Sequence, residues 1–258
     1  MAHVLGAQPS DRVLDLCAAP GSKATHVAQR FLGDGGVLVA CERNGAKLQK
    51  MRELLKALGL EQRVVPTRAD SARCVAATEG PHSRCADGTC SFESVAASQS
   101  KRARKSAQRA AGDGFAKFPP ESFDRVMLDP PCSALGLRPK LLQHANAETL
   151  RQCAGYQRLF LFSAVRLLKP GGVLVYSTCT LAPDECEGMV AYALRAFPCL
   201  TLLPAEPRVG SSGRVGAGLD AELCALVQRF EPAGGVEGFF IAKFAKRATS
   251  GESSLERG

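Results

Sequence analysis

Short apolar runs alternate with amphipathic stretches along most of this chain, the pattern of βαβ units that build a mostly parallel sheet. Strands are predicted at Arg12 to Cys17, Gly36 to Glu42, Arg63 to Arg68, Phe123 to Asp129, Val173 to Thr178, Leu200 to Leu203 and Gly238 to Phe244. Val173 to Thr178 carries no charged residue, as expected of a central strand buried on both faces. Helices are predicted from about Ser22 to Phe31, from an Asn44 cap to a Gly59 stop, from Ala147 to Leu168 and from Asp184 to Ala196. The run Lys169-Pro170-Gly171-Gly172 reads as the stop of the third of these.

Two regions break the alternation. Residues 78–120 are rich in Ser, Ala, Gly and charge without sustained periodicity, and read as a disordered insertion between strands three and four. Residues 247–258 read as a polar tail, which leaves residues 1–246 as one domain. With 258 residues, 45% hydrophobic and 22% charged, the chain has enough apolar surface for one large α/β core. No apolar run reaches the ~18 residues of a membrane span. Met1 to Arg12 has neither the basic nor the apolar region of a secretory signal. A reducing, cytoplasmic setting is therefore expected, and the 11 cysteines read as thiols. The formal charge of +8 is concentrated in part in Ser100 to Arg109, which holds five basic residues and no acidic one. That run is compatible with RNA contact or nuclear import, although a basic run is commonly just solvated. Cys74, His82, Cys85 and Cys90 lack the paired spacing of a zinc site, so no metal is expected.

Candidate chemistry gathers at the carboxyl ends of the predicted strands, where ligands bind in open α/β sheets. After the first comes Asp15-Leu16-Cys17-Ala18-Ala19-Pro20-Gly21-Ser22-Lys23, whose small residues would let a ligand approach the backbone at a helix N-terminus. It is not G-x-G-x-x-G, so a dinucleotide has no direct support. Glu42 ends the second strand and would accept from two ribose hydroxyls; Asp70 follows the third. Taken singly, each acid reads as a surface residue or a turn cap. Together with the small-residue turn they suit a nucleoside cofactor without phosphates, such as S-adenosylmethionine. Strand four ends in Asp129-Pro130-Pro131-Cys132-Ser133 and strand five in Ser177-Thr178-Cys179-Thr180. Either cysteine alone reads more readily as a structural thiol than as a nucleophile. Two of them after neighbouring strands, beside Asp129, read as a reactive pair.

The signatures DLCAAPGSK, DPPCS and YSTCT, in that order, resemble those of the Nop/Sun-type RNA (cytosine-C5) methyltransferase family over residues 2–77 and 118–244. The stretches FPPESFDRVMLDPPCS, LLKPGGVLVYSTCT, FPCLTLLP and GFFIAKF look most like one NSUN branch, whose known activity is on tRNA near the 3′ end and on some messenger RNA. The resemblance implies an α/β fold of the class I S-adenosylmethionine-dependent methyltransferase type, Rossmann-like, with a mostly parallel seven-stranded sheet flanked by helices. It implies that the backbone of Cys17, Ala18, Ala19, Pro20, Gly21, Ser22 and Lys23 holds the methionine part of the cofactor. Glu42 would bind the ribose, Asp70 would lie beside the adenine, and Asp129 would stand where cofactor and cytosine meet. Cys179 would be the nucleophile and Cys132 the residue that aids product release. Lys23 is a candidate source of the positive charge that lowers a thiol's pKa. RNA, with tRNA foremost and messenger RNA second, is the implied partner, and a monomer without membrane attachment is expected.

Two departures from the family pattern stand out. Ser22 occupies a position where the family usually has glycine, and Ala134-Leu135 follow Cys132 where it commonly has a glycine first. Only a short stretch precedes the first predicted strand, so neither the N-terminal RNA-binding part of the family core nor a PUA domain is expected within these residues. One rival reading is an amino-group methyltransferase, since Asp129-Pro130-Pro131 resembles D-P-P-Y; that motif needs an aromatic residue at position 132. The other rival is a catalytically weak or inactive RNA-binding form.

Overall fold

Alternation of side chains along each strand divides the apolar residues between two faces of one sheet. The computed structural model describes residues 1–76, 114–138, 145–232 and 236–248. Its strands are β1 (Arg12–Asp15), β2 (Val37–Glu42), β3 (Val64–Arg68), β4 (Phe123–Leu128), β5 (Leu168–Thr178), β6 (Leu200–Leu203), β7 (Gln228–Phe230) and β8 (Phe239–Lys246). Its helices are α1 (Ala2–Leu5), α2 (Ser22–Arg30), α3 (Gly45–Ala57), α4 (Ala147–Leu167), α5 (Glu187–Ala196) and α6 (Ala221–Leu226). The order β3-β2-β1-β4-β5 is parallel throughout, β8 lies reversed against β5, and β6 and β7 share the far edge of β8.

The period of two is explicit in the core. Leu14, Val39, Cys41, Val126, Leu128, Leu174 and Tyr176 pack on one face with α4 and α5. Val13, Leu38, Ala40, Met127, Val173 and Val175 pack on the other with α1, α2 and α3. Each Val, Leu or Met among them contributes about 1.5–3 kcal/mol when fully buried, so both faces are firmly held. Asn44 caps α3 through its side chain, accepting from Lys47 N at 3.1 Å. Gly59 follows that helix with φ 64.

The α/β, mostly parallel expectation is thus met, with three corrections of detail. The sheet has eight strands, not seven: β7 is only Gln-Arg-Phe, too short and too polar to show alternation. β5 begins at Leu168, which pairs with Phe123, so the Lys-Pro-Gly-Gly stop lies inside the strand, alongside a register shift in β4. The end of the expected insertion is also structured. Ala116 N donates to Arg68 O at 2.9 Å, Phe118 N to Cys74 O at 2.7 Å, and Ala76 N to Phe118 O at 2.8 Å. The Phe118 ring meets Phe123 edge-on, centroids 5.5 Å apart, so an aromatic anchor ends the polar stretch. Residues 77–113, with the basic run and His82, Cys85 and Cys90, lie outside the described residues, as do 249–258 of the tail. Among the described residues no helix is long and apolar enough to cross a membrane, and no group of three His, Cys, Asp or Glu could hold a metal.

Candidate active site

Parallel strands deliver their C-terminal residues to one edge, and there the chain turns back over the sheet. After β1, Leu16 N donates to Met127 O at 3.1 Å and Ala18 N to Cys41 O at 3.0 Å, so the turn is stitched to the strands on both sides. Gly21, at φ 115, opens α2 in a left-handed conformation that an L side chain rarely adopts, and no side chain caps that helix. Cys17 to Lys23 therefore wraps the end of β1. Ser22, which replaces a usual glycine, is the first residue of α2 and is exposed, a place where a small hydroxyl meets no steric demand.

The two acids proposed for the cofactor stand on β2 and after β3 with local partners. Glu42 Oε1 accepts from Asn44 N at 2.6 Å. Asp70 Oδ1 accepts from Ala72 N at 3.3 Å, and its Oδ2 lies 3.9 Å from Arg43 Nη1. Farther along the edge, Lys23 Nζ lies 2.5 Å from Asp129 Oδ2, and Ser177 Oγ donates to Asp129 Oδ1 at 2.9 Å. Phe239 lies 5.7 Å below the Lys23 ammonium, centroid to Nζ, and adds a cation–π contact. Burial alone would lower the Lys23 pKa, but the charge and hydrogen bond of Asp129 more than offset it, and Asp15 and Cys179 add to the rise. Lys23 is thus held as a cation.

Cys132 and Cys179 come from the loops after β4 and β5, and their sulfurs are 3.2 Å apart. The hydrogen bond between them lowers the Cys179 pKa, against burial and Asp129, with Lys23 helping. The same bond, with burial, pushes the Cys132 thiol up. The pair is thus polarised toward ionisation of Cys179 rather than Cys132, the direction a nucleophile requires. Every other described cysteine with a resolved shift is raised, by burial first, including Cys17, Cys41, Cys74 and Cys186. Cys179 alone among them moves toward reactivity.

Several residues here were not singled out from the sequence. Ser177 anchors Asp129, and Thr180 Oγ1 shares a hydrogen bond with Ser133 Oγ at 2.7 Å; both lie in the YSTCT motif, which was the available signal. Glu185 and Gln157 support the Cys132 loop from below, and nothing in their sequence context indicates it. Asp15 is 2% exposed, and burial raises its pKa to about 7.

This donor set fits S-adenosylmethionine. The strand ends carry Asp15, Glu42, Asp70 and Asp129, and Lys23 is already paired, so the set suits hydroxyls and amines and not a phosphate. The sequence profile of the family described as 16S rRNA methyltransferase RsmB/F matches residues 2–96 and 93–245. The tRNA (cytosine(72)-C(5))-methyltransferase NSUN6 of Mus musculus is 41% identical over 235 residues, 90% of this chain and 42% of that protein. The rRNA (cytosine-C(5))-methyltransferase NOP2C of Arabidopsis thaliana is 34% identical, over 95% of this chain and 51% of that one. The crystal structure of NSun6 from Pyrococcus horikoshii with SFG superposes with a TM-score of 0.70 at 32% identity, covering 96% of this chain and 51% of that one. The chain spans about half the length of these relatives. Matched by the family profile along most of its length, and by relatives above 30% identity over at least 90% of it, the chain belongs to the Nop/Sun-type RsmB/F family of methyltransferases.

Proposed function

We propose that this chain is the catalytic part of an S-adenosylmethionine-dependent RNA (cytosine-C5) methyltransferase, acting on tRNA and secondarily on messenger RNA through a covalent cysteine adduct. The observation that carries this reading is the thiol pair, Cys132 and Cys179 with sulfurs 3.2 Å apart, beside the Lys23–Asp129 ion pair. Cys17 to Lys23, Glu42, Asp70 and Asp129 would hold the cofactor, which supplies a methyl group on a sulfonium centre. We further infer a cytoplasmic monomer without membrane attachment.

Carbon 5 of cytosine is a poor nucleophile while the ring is aromatic. Addition of the Cys179 thiolate at carbon 6 converts the ring to an enamine, and carbon 5 can then accept an electrophilic methyl. Negative charge develops at N3 during addition. The Lys23–Asp129 pair, with a proton between Nζ and Oδ2, would offset it, and Ser177 keeps Asp129 from turning away. For release, the carbon-5 proton passes to a water molecule, its C–H electron pair forms the carbon 5–carbon 6 double bond, and the Cys179–carbon 6 bond breaks with its electron pair returning to sulfur. Cys132, 3.2 Å from that sulfur, would donate its S–H to stabilise the departing thiolate. A base within a stem must first be unstacked.

The test is methyl transfer from labelled S-adenosylmethionine to tRNA transcripts, followed by denaturing electrophoresis. Cys179→Ala is expected to give neither methylation nor adduct. Cys132→Ala is expected to methylate once and remain bonded to the RNA. An adduct in Cys179→Ala but not in Cys132→Ala would reverse the two roles, and no adduct in either, with active wild type, would remove the covalent mechanism. The rival reading is a non-catalytic RNA-binding form, and the close, polarised thiol pair weighs against it.

A further inference from the structure

Glu185 ends the 3₁₀ turn Pro183–Glu185, six residues beyond Cys179, and is fully buried. Its Oε2 accepts from Ser133 N at 3.1 Å and from Gln157 Nε2 at 2.8 Å. Gln157, on α4 and also fully buried, uses the same Nε2 to donate to Pro131 O at 3.1 Å, while Tyr176 Oη donates toward its Oε1 at 2.9 Å. One carboxylate therefore ties down both residues that flank Cys132: Ser133 directly, and Pro131 through Gln157. Among the described residues its hydrogen-bond partners are neutral, and its other oxygen, Oε1, is buried without one. A buried carboxylate so poorly compensated destabilises a fold, and an apolar side chain of similar volume would pack at lower cost. What the carboxylate adds is direction: two donors held at one oxygen, under the loop that carries Cys132.

We propose that Glu185, with Gln157 as its second arm, is a positioning residue for Cys132, clamping Pro131–Cys132–Ser133 so that the Cys132 sulfur stays within hydrogen-bond reach of Cys179. Its effect on the reaction rests on the covalent reading above, whereas its effect on the distance between the thiols does not. Misplacement by about 1 Å costs on the order of 10²-fold in a reaction between held groups. Loosening the loop should accordingly weaken any process that needs the two sulfurs together.

Two readouts test this. The first needs no RNA: diamide, which takes one hydrogen from each of two thiols, converts Cys132 and Cys179 to a disulfide, followed by mass spectrometry of the joined peptides. Glu185→Ala is expected to slow that closure by about tenfold or more. Glu185→Gln, which keeps an acceptor oxygen at the same place, is expected to restore most of the rate, whereas Glu185→Leu, which restores volume without an acceptor, is expected to stay slow, an outcome that simple loss of packing would not predict. The second readout is the denaturation-resistant RNA adduct, expected to accumulate in Glu185→Ala as it is expected to in Cys132→Ala. Melting curves establish that each variant folds. Should Glu185→Ala not fold, Gln157→Leu, which removes the Pro131 arm together with the Gln157 bonds to Glu185 and Tyr176 but leaves the Ser133–Glu185 bond, decides in its place with the same expected direction. Wild-type closure rates in the folded variants would overturn the clamp, even if Cys132→Ala traps RNA. Slowed closure without an adduct in either Glu185→Ala or Cys132→Ala would instead sustain the clamp and remove the covalent reading.

Discussion

Asp15 sits at the end of β1 with its side chain out of water, and burial lifts its pKa to about 7, against a free value near ~3.9. Below about pH 4 the folded and unfolded chains both carry the proton, so nothing is lost. As pH rises toward 7, the unfolded chain ionises while the folded one keeps its proton, so stability falls across that window and then levels off. A gap of about three pKa units corresponds to roughly 4 kcal/mol, an order-of-magnitude figure. Asp15→Asn keeps an oxygen for Cys17 N–H, which Asp15 Oδ1 accepts at 3.2 Å, and removes the ionisation. It is expected to match the wild type at pH 4, to exceed its stability at pH 8, and to flatten the slope between. Urea unfolding at the two pH values measures this; parallel slopes would show that Asp15 does not titrate in the window. Asp15 also marks a limit of the sequence. DLCAAPGSK identifies the turn, and the motifs with Cys132 and Cys179 identify the pair, because those signals are local and compositional. Burial of Asp15 and polarisation of one thiol by the other are set by contacts between distant segments, so no residue string displays them.

At the scale of elements, the strand and helix order was readable from periodicity, while the devices that hold the loops together were not. The loop after β4 shows why. Ala134, where the family commonly places glycine, adopts φ 54, a left-handed conformation that costs a residue with a Cβ roughly 1–2 kcal/mol. Two residues on, Gly136 N donates to Cys179 O at 3.0 Å and Gly238 N donates to Gly136 O at 2.8 Å. A Cβ on Gly136 would sit 2.4 Å from Gly238 O and 2.8 Å from its carbonyl carbon. Only two glycines let the β4 loop, the β5 loop and the entry to β8 meet at one point, whereas from sequence Gly238 reads merely as the start of the last strand. Gly136→Ala must push backbone against backbone, with an expected cost of about 1–3 kcal/mol. It should also displace the Cys132 loop and reduce methyl transfer by more than the lost stability accounts for. Chemical denaturation together with single-turnover rates checks both, and unchanged values in both would show that the strap is not tight. β7 and α6 escaped the sequence for a simpler reason: at 3 and 6 residues they are too short for a period to repeat.

For the molecule as a whole, the open question in the sequence was where a polar insertion stops and the domain resumes. Composition places the boundary at 120, whereas hydrogen bonds place the return of the chain at or before 116, against the end of β3. The bridge between Val75 and Phe118 extends that edge, and Phe118 covers Phe123, which is fully buried beneath it. Two deletions separate these boundaries, one removing residues 80–112 and one removing residues 80–120. Whatever loss of 80–112 does by itself is common to both, so their difference reports only the returning segment. Loss of a partly buried phenylalanine and its backbone pairing is expected to cost the longer deletion about 2–4 kcal/mol more. Phe118→Ala in the full chain should reproduce the larger part of that loss. Charge behaves differently, because both deletions remove the five basic residues of Ser100 to Arg109. If those residues contact RNA, the two deletions should flatten the salt dependence of RNA binding equally, since that slope counts neutralised phosphates and is blind to the fold. Equal melting temperatures would show that residues 113–120 contribute nothing to the domain, and unequal salt slopes would show that they touch the RNA themselves.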